Sequence, residues 1–430
     1  MENHSDRKTH PACWVPTLYF AEGIPFFAVS LIASIFYKRM GVADDLNALY
    51  TSWLLLPWSL KPLWSPLLEM FRTKKFFVVL LEFFGGLSLA LVALLLRVPH
   101  YFAITLALFL VVALCSSTHD IAADGLYIAS LTAKQQAAYA GWQGGFYNVA
   151  RFFSQGGLLI LAGYLELRSG VPRAWMAIFA AMGGVVITLS LWHSRVLPGG
   201  EPERHAGSLP EMIATFRDVV ATFFRKPNIW ILLAFIFLYR LGEGQALKIG
   251  PLFLLAERAK GGLGMSTTKV GLYNTVATVA FIAGSLLGGY FTSWLGLRRS
   301  LLPLACAMNL RLLAWVYLSA MLPSNYLAIG LALSLDALGY GFGFVGVILL
   351  MMQEIAPGKY QTAHYAFATA LMNLGLMAPA LVSGKIEIWL GYRVFFLWVL
   401  VSAIPVVVAA RFLPLRGKAR EAAALQPAEV

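Results

Sequence analysis

The sequence contains few charged residues. Only 13% of its 430 residues are Asp, Glu, Lys or Arg, whereas 59% are hydrophobic. An ordinary soluble domain has about 25% charged residues. The shortage of charge therefore excludes an ordinary soluble domain and indicates a protein whose outer surface faces lipid.

Cysteines and the common catalytic motifs are also scarce. The three cysteines, Cys13, Cys115 and Cys306, lie in or beside apolar runs, which excludes a disulfide framework and metal-ligand spacing. No G-x-S-x-G nucleophile elbow, H-E-x-x-H zinc motif or Walker lysine loop is present. Gly341 to Gly346 matches a G-x-G-x-x-G dinucleotide pattern, but it lies inside an apolar run, where it indicates a close-packing helix face. We therefore expect no catalytic residues, no metal and no ATP-driven pump.

Long apolar runs dominate the sequence. Twelve of them approach the length of about 20 residues that a helix needs to cross a bilayer. They predict an all-α membrane protein with twelve transmembrane helices in two six-helix bundles. No small-residue cleavage site follows the first run, so we expect no removable signal peptide. The runs lie near residues 14–37, 46–69, 76–96, 101–131, 140–165, 173–194, 228–256, 267–294, 299–320, 325–353, 361–386 and 391–412.

A polar stretch separates the sixth run from the seventh. We expect an N-terminal bundle at 1–194, a cytoplasmic linker at 195–227 and a C-terminal bundle at 228–430. With both termini in the cytoplasm, 18 basic residues fall on the inner side and 10 on the outer side, as the positive-inside rule requires. This topology accounts for most of the net charge of +12. We expect a multi-pass protein of the bacterial inner membrane with no nucleic-acid partner, because we find no solvated basic face.

The two halves of the chain form a weak internal repeat. Matched residues recur in chain order at offsets of 221, 224 and 225 positions. Nearly constant offsets of this kind indicate a duplicated transporter bundle. The matched residues are Glu22 with Glu243, Lys74 and Lys75 with Arg298 and Arg299, and Asn148 with Asn373.

Two six-helix halves joined by a cytoplasmic linker resemble the major facilitator superfamily. Gly289, Gly296 and Arg298-Arg299 fit the loop motif that follows the eighth helix in that family. Glu69 and Arg72 keep an acid and a base of the corresponding first-half motif, which here lacks its central glycine. The resemblance implies rocking of two bundles around a midplane site, with these loops latching the halves in one state. It implies a gating role for Lys74, Lys75, Arg298 and Arg299.

A narrower resemblance, covering residues 19–412, is to the AmpG-type muropeptide permeases. Its most specific parts are the Trp-Ser-Pro and Asp-Ile-x-x-Asp stretches. It implies import of GlcNAc-anhydroMurNAc fragments from periplasm to cytoplasm, driven by the proton gradient without a cofactor. Alternatives are a ferric siderophore or a coenzyme-A-like acid as cargo and, in another class, a membrane-embedded transferase. The segments that carry the resemblance are Leu60–Leu68, Cys115–Tyr127, Leu238–Glu243 and Gln361–Ala366.

Carboxylates within the apolar runs are the candidates for proton coupling. Asp120 and Asp124 are four residues apart, so a helix places them on one face. Each charge at membrane depth costs roughly 2.5 to 3.5 kcal/mol on insertion scales, and such residues commonly mark a transport path. Glu22 in the first run is the third candidate. The alternative is a permanent ion pair, for example with Arg151, while His119 could relay protons or only hydrogen-bond.

Cationic, amide and aromatic side chains at similar depth are candidates for cargo binding. Arg151 and Arg240 could each grip a carboxylate with two parallel hydrogen bonds, or they could pair with Asp120 and Glu243. Lys61-Pro62 is a candidate gate, because proline lacks the N–H that a regular helix needs. We expect a small-molecule cargo, a lipid environment and a monomeric protein. The other cargo-binding candidates, each of which could instead serve packing, are Glu243, Asn148, Asn373, Gln143 and Trp142.

Overall fold

All regular structure in the described part of the chain is helical, which confirms the predicted all-α class. The computed structural model describes residues 10–64, 68, 73–131, 133–199 and 209–415. Glu69 and Arg72 of the loop motif, Ser65 to Leu67 of the Trp-Ser-Pro segment, and residues 200–208 of the predicted linker lie outside these ranges.

The helices are numbered α1 to α16 along the described residues. Several of them continue into π-helical or 3-10 turns. Their bounds are α1 (Pro11–Arg39), α2 (Asp44–Trp53), α3 (Leu56–Leu60), α4 (Lys74–Leu95), α5 (Tyr101–Ser130), α6 (Ala133–Arg151), α7 (Leu159–Ser169), α8 (Val171–Val196), α9 (Leu209–Phe224), α10 (Ile229–Leu255), α11 (Thr267–Leu295), α12 (Leu297–Leu310), α13 (Leu313–Met321), α14 (Tyr326–Leu350), α15 (Gln361–Ser402) and α16 (Ile404–Phe412).

Nine helical stretches within the described ranges are long and apolar enough to cross a bilayer. One of them, Ala363–Phe412, is 50 residues long and contains most of the last two predicted runs. It turns at Gly391, where φ is 68°, a value that favours glycine. The second and fifth predicted runs are helical but interrupted, and neither is among the nine. The count of twelve spans therefore stays a prediction.

Proline explains two departures from regular α-helix, one in α1 and one in the second run. In α1 a π-helical turn, Ala28–Ile32, follows shortly after Pro25, which has no N–H to donate and crowds the preceding turn. In the second run, Pro62 lies in the 3-10 turn Lys61–Leu63 that follows α3. The backbone is therefore irregular at Lys61-Pro62, as the sequence predicts.

The chain divides into two compact units, which we call unit 1 and unit 2. Within unit 1, α4 and α8 approach each other through glycines: a Cβ on Gly183 would lie 2.6 Å from the carbonyl oxygen of Gly86. A Cβ on Gly86 would in turn lie 3.0 Å from the carbonyl oxygen of Gly183. Glycine at both positions therefore sets the spacing of these two helices. The unit contains Met1–Ala43, Tyr50–Ala206 and Ser266–Thr275.

Glu166 of α7 connects separate segments of unit 1. Its carboxylate accepts hydrogen bonds from Arg39 Nε at 3.1 Å, Trp175 Nε1 at 2.9 Å and Thr267 Oγ1 at 2.9 Å. The Glu166 side chain is only 5% exposed. Burial of this charge is stabilised by the donors around it, and these bonds tie the start of α11 into unit 1.

Unit 2 packs around an apolar core that includes Ile236, Leu301 and Val347. In α14, a Cβ on Gly341 would lie 2.0 Å from the Phe281 carbonyl oxygen. The glycine-rich Gly341–Gly346 stretch is therefore a close-packing face, as predicted, and not a nucleotide loop. The unit contains Asp44–Leu49, Gly207–Met265 and Val276–Val430.

The linker helix α9 is docked within unit 2. The Tyr360 hydroxyl donates to Asp218 Oδ2 at 2.7 Å. His364 Nε2 lies 3.2 Å from both the Val219 carbonyl and Thr222 Oγ1. These bonds give His364, in the Gln361–Ala366 segment, a defined role: it holds α9 against α15.

Candidate functional site

Three carboxyl groups and one lysine meet inside unit 1. Asp120 and Asp124 project from one face of α5, and Lys61 enters from the 3-10 turn after α3. Lys61 Nζ forms an ion pair and a hydrogen bond with Asp120 Oδ2. The two side chains are 24% and 20% exposed, so the pair is accessible from outside the packed core. We call Lys61, Asp120, Asp124 and Glu22 the acid cluster.

Asp124 has different neighbours from Asp120. The Tyr19 hydroxyl donates to Asp124 Oδ1 at 3.0 Å, and Gln143 Nε2 donates to the same oxygen at 3.3 Å. Asp120 is thus matched with a cation and Asp124 with neutral donors. Because environment decides which protonation state an acid adopts, the arrangement distinguishes two acids that the sequence places symmetrically.

Glu22 of α1 completes the acid cluster. Its Oε2 is buried and has no hydrogen-bond partner among the described residues. The Glu22 carboxyl group also lies within hydrogen-bonding reach of Asp120. Two carboxyl groups can hydrogen-bond only if one of them carries a proton. The geometry of the cluster therefore suits a shared, exchangeable proton.

The structure brings together the three predicted proton-coupling residues and adds Lys61, which the sequence suggests only as a gate. Arg151, the partner considered for the acids, donates from Nε to Gln155 Oε1 at 3.4 Å. Tyr19 is missed by the sequence reasoning. Its spacing of three residues from Glu22, on the same helix face, is the signal that would have identified it.

One of the cargo-binding candidates of α6 reaches the acid cluster. Gln143 contacts Asp124. Trp142 is 45% exposed and stacks on Phe146 with the ring centroids 6.1 Å apart. Asn148 Nδ2 donates to the Gly144 carbonyl one turn earlier, at 2.9 Å. Of these residues, Trp142 is the most exposed, whereas Gln143 and Asn148 are half-buried.

Unit 2 contains a second charged cluster in which acids and bases are matched. Arg240 Nη1 donates to both oxygens of Glu243, at 2.7 and 2.5 Å, which is the alternative that the sequence leaves open for this pair. Arg311 Nη1 donates to Asp336 Oδ1 at 2.7 Å. The Arg311 guanidinium lies 4.8 Å from the centre of the Tyr340 ring. Arg240 Nε and Arg311 Nη2 remain buried without a partner among the described residues.

Each of the remaining candidates has its own surroundings. Lys75 Nζ donates to the Leu197 carbonyl at 2.8 Å, which joins the start of α4 to the end of α8. The Lys74 side chain packs near Gly125. Arg298 and Arg299 are exposed at the start of α12. Asn373 is half-buried in α15, and Pro62 is buried beside Lys61.

Comparison with known proteins identifies the kind of molecule. The sequence profile of the Major Facilitator Superfamily matches residues 17–375. The anhydromuropeptide permease of Escherichia coli K12 is 26% identical over 306 residues, which are 70% of this chain and 58% of that protein. The chain therefore spans less than two thirds of that relative. A Rickettsia conorii protein named as putative transporter AmpG 4 is 23% identical over 415 residues, covering 92% of this chain and 94% of the relative.

Solved structures show the same fold. The nucleoside transporter NupG, solved as a point mutant, superimposes with a TM-score of 0.69 at 15% identity, covering 92% of this chain and 98% of that one. The xylose transporter XylE from E. coli gives a TM-score of 0.64 at 12% identity, with 93% and 96% coverage. The family match and the named relatives identify a transporter and set aside the transferase alternative, while the solved structures show the fold. The chain belongs to the Major Facilitator Superfamily, as a multi-pass membrane transporter that is similar to the AmpG-type permeases.

Proposed function

We propose that this protein imports amino-sugar cell-wall fragments of the GlcNAc-anhydroMurNAc type, together with protons, from the periplasm to the cytoplasm. The observation that carries the proposal is the convergence of Glu22, Asp120 and Asp124 on the cation of Lys61. The names of the relatives, an anhydromuropeptide permease and an AmpG transporter, support the class of cargo.

The charge of the acid cluster supports proton coupling. Three ionised carboxylates against one ammonium would leave two negative charges in an apolar surrounding, where uncompensated charge is costly. Uptake of protons brings the cluster toward neutrality. A movement that separates Lys61 from Asp120 would change how strongly the acids hold a proton, since a nearby cation favours the ionised form. Loading and release can then occur in different conformations.

The polar and cationic side chains suit an acidic sugar. Gln143 and Trp142 of α6 offer an amide and a flat aromatic face, which match sugar hydroxyls and the apolar face of a ring. Arg240 keeps a buried Nε without a partner in the described residues, a donor that a cargo carboxylate could use. We assign Arg151, Asn148, Asn373 and Glu243 supporting roles in the same binding function.

The proposal includes a location and a mode of action. We place the protein in the bacterial inner membrane, as a monomer with both termini in the cytoplasm, because the basic residues favour the cytoplasmic side. The proton gradient is the energy source, and no cofactor takes part. Lys61, Pro62, Lys74, Lys75, Arg298 and Arg299 are assigned to gating.

The test is uptake of radiolabelled GlcNAc-anhydroMurNAc into proteoliposomes, with and without an inward proton gradient. We expect accumulation above equilibrium only with the gradient. Asp120→Asn should abolish this accumulation while leaving exchange of preloaded cargo. The matched control is Glu257→Gln, which changes a 72% exposed acid. Unchanged driven uptake in Asp120→Asn would refute the role of Asp120, and no uptake by correctly folded protein would favour another acidic cargo.

A further inference from the structure

A second group of titratable side chains is buried in unit 1, apart from the acid cluster. Glu82 of α4 lies between His119 of α5 and His193 of α8, and the three residues are 3%, 3% and 0% exposed. His193 Nδ1 is 2.8 Å from both oxygens of Glu82, and His119 Nε2 is 3.0 Å from Glu82 Oε1. On its other side, His193 Nε2 is 3.0 Å from Thr17 Oγ1 of α1. Four helices thus contribute to one polar network.

The hydrogen bonds of Thr17 decide how many protons the pair holds. The Thr17 hydroxyl has one hydrogen and two acceptors in reach, the Trp14 carbonyl oxygen at 3.1 Å and His193 Nε2 at 3.0 Å. When Thr17 donates to Trp14, its oxygen can only accept from His193, and His193 Nε2 then carries a hydrogen. The short contact between His193 Nδ1 and Glu82 requires a further hydrogen, on the imidazole or on the carboxyl group. In this arrangement the pair holds one proton more than a neutral histidine beside an ionised glutamate.

The charge of the pair agrees with this count. With the extra proton, Glu82 and His193 sum to zero, either as carboxylate and imidazolium or as two neutral groups. Without it, they leave one negative charge at a site that is almost completely buried. The groups that face Glu82 are His119 from α5 and His193 from α8, while Thr17 faces the pair from α1. His119 also acts electrostatically on Asp124, which links this network to the acid cluster.

We propose that Glu82 and His193 form a second proton-binding site, which holds its proton while Thr17 contacts His193 and releases it when that contact opens. On release, the hydrogen of Nε2 leaves to water as a proton. The hydrogen that remains stays on Nδ1 and donates to the Glu82 carboxylate, so the pair returns to one negative charge. Because α1 carries both Thr17 and Glu22, one displacement of α1 would act on both proton sites.

The occupancy of this site can be measured without any cargo. Protein labelled with ¹⁵N-histidine reports which ring nitrogens are protonated, and His193→Gln identifies the signal among the seven histidines. We expect Nε2 of His193 to be protonated at neutral pH in the wild type. Thr17→Val removes the acceptor, so the Nε2 signal of His193 should change to that of an unprotonated ring nitrogen. Thr17→Ser should retain the wild-type behaviour.

Two results would overturn the inference. One is an unprotonated Nε2 in the wild type, and the other is a His193 signal in Thr17→Val identical to that of the wild type. Glu82→Gln provides a second variant: it removes the proton-sharing acid, so His193 should become an ordinary neutral imidazole. Glu257→Gln, at a 72% exposed position, is the matched control and should leave the His193 signal unchanged.

The role of the site in transport rests on the proposed proton symport. Thr17→Val should reduce gradient-driven accumulation at least tenfold while preserving exchange of preloaded cargo. If Thr17→Val accumulates cargo as the wild type does, the proton held by Glu82 and His193 has a structural role and no role in transport. Because the ¹⁵N measurement uses neither cargo nor gradient, its failure is distinct from a failure of the muropeptide uptake assay.

Discussion

The buried ion pair of Arg311 and Asp336 in unit 2 permits a quantitative test of how this protein tolerates charge in its interior. Arg311 Nη1 donates to Asp336 Oδ1 at 2.7 Å, and the two side chains are 1% and 13% exposed. Arg311 Nε is also fixed, because it donates to the Met308 carbonyl at 3.0 Å. Asp336→Asn keeps the shape of the side chain but leaves the guanidinium charge without a counter-charge.

The expected cost follows from burial. Removing one partner of a buried pair destabilises a protein by about 3 to 5 kcal/mol. Since Asp336 is slightly exposed, we expect a value near the lower end, about 3 kcal/mol, which lowers the ratio of folded to unfolded protein by more than a hundredfold. Replacing both partners with apolar residues, Arg311→Met with Asp336→Leu, removes the charge and its counter-charge together. The double variant should therefore lie within about 1 kcal/mol of the wild type.

The free energy of unfolding in detergent micelles, from denaturant titration, measures these differences. The control is Glu257→Gln, because Glu257 and Lys260 form an exposed pair at 3.5 Å that should contribute little. The reasoning is refuted if Asp336→Asn costs no more than Glu257→Gln. It is also refuted if the double variant loses as much as the single one.

Two further predictions concern the acid cluster and the linker helix. Lys61→Met removes the cation of the acid cluster and should reduce gradient-driven uptake at least tenfold. Lys61→Arg retains a positive charge and should keep most of the uptake. Equal loss of uptake in both variants would contradict the ion-pair role of Lys61. The hydrogen bond from Tyr360 holds the pKa of Asp218 below its usual range. Docking of α9 should therefore be fully supported above about pH 4 and weaken only as the pH falls through the lowered pKa. Hydrogen exchange of α9, corrected for intrinsic rates, checks this, and a loss of protection already between about pH 8 and 6 would contradict it.

Much of the helical framework is predictable because it depends on local composition. The apolar runs at 76–96 and 173–194 correspond to α4 at Lys74–Leu95 and α8 at Val171–Val196. The interruption of the second run also follows from local chemistry, since Pro62 cannot donate a backbone hydrogen bond. The number of spans is harder to predict, because a stretch that turns at Gly391 can count as one helix or two.

The candidate site is predictable only in part, because its contacts depend on tertiary structure. The shared face of Asp120 and Asp124 follows from their spacing. The choice of Lys61 over Arg151 as the partner of Asp120 does not, since Lys61 and Asp120 are 59 positions apart. The same limit applies to Glu82 and His193, which are 111 positions apart. Intramembrane charge marks which residues need partners, but packing decides which partners they receive.

The internal repeat shows how two equivalent glutamates acquire different roles. Tyr19 and Glu22 in α1 match Tyr239 and Glu243 in α10. In α10, Arg240 stands between the matched residues, and it neutralises Glu243 with two hydrogen bonds. In α1 the corresponding segment has no basic residue, so Glu22 shares the cation of Lys61 with Asp120 and Asp124. A glutamate with a dedicated arginine has its charge balanced locally, whereas three acids beside one lysine are favoured to bind protons. The excess of acid in the acid cluster and the matched pairs of Arg240 with Glu243 and Arg311 with Asp336 are therefore the physical reason to seek proton coupling in unit 1.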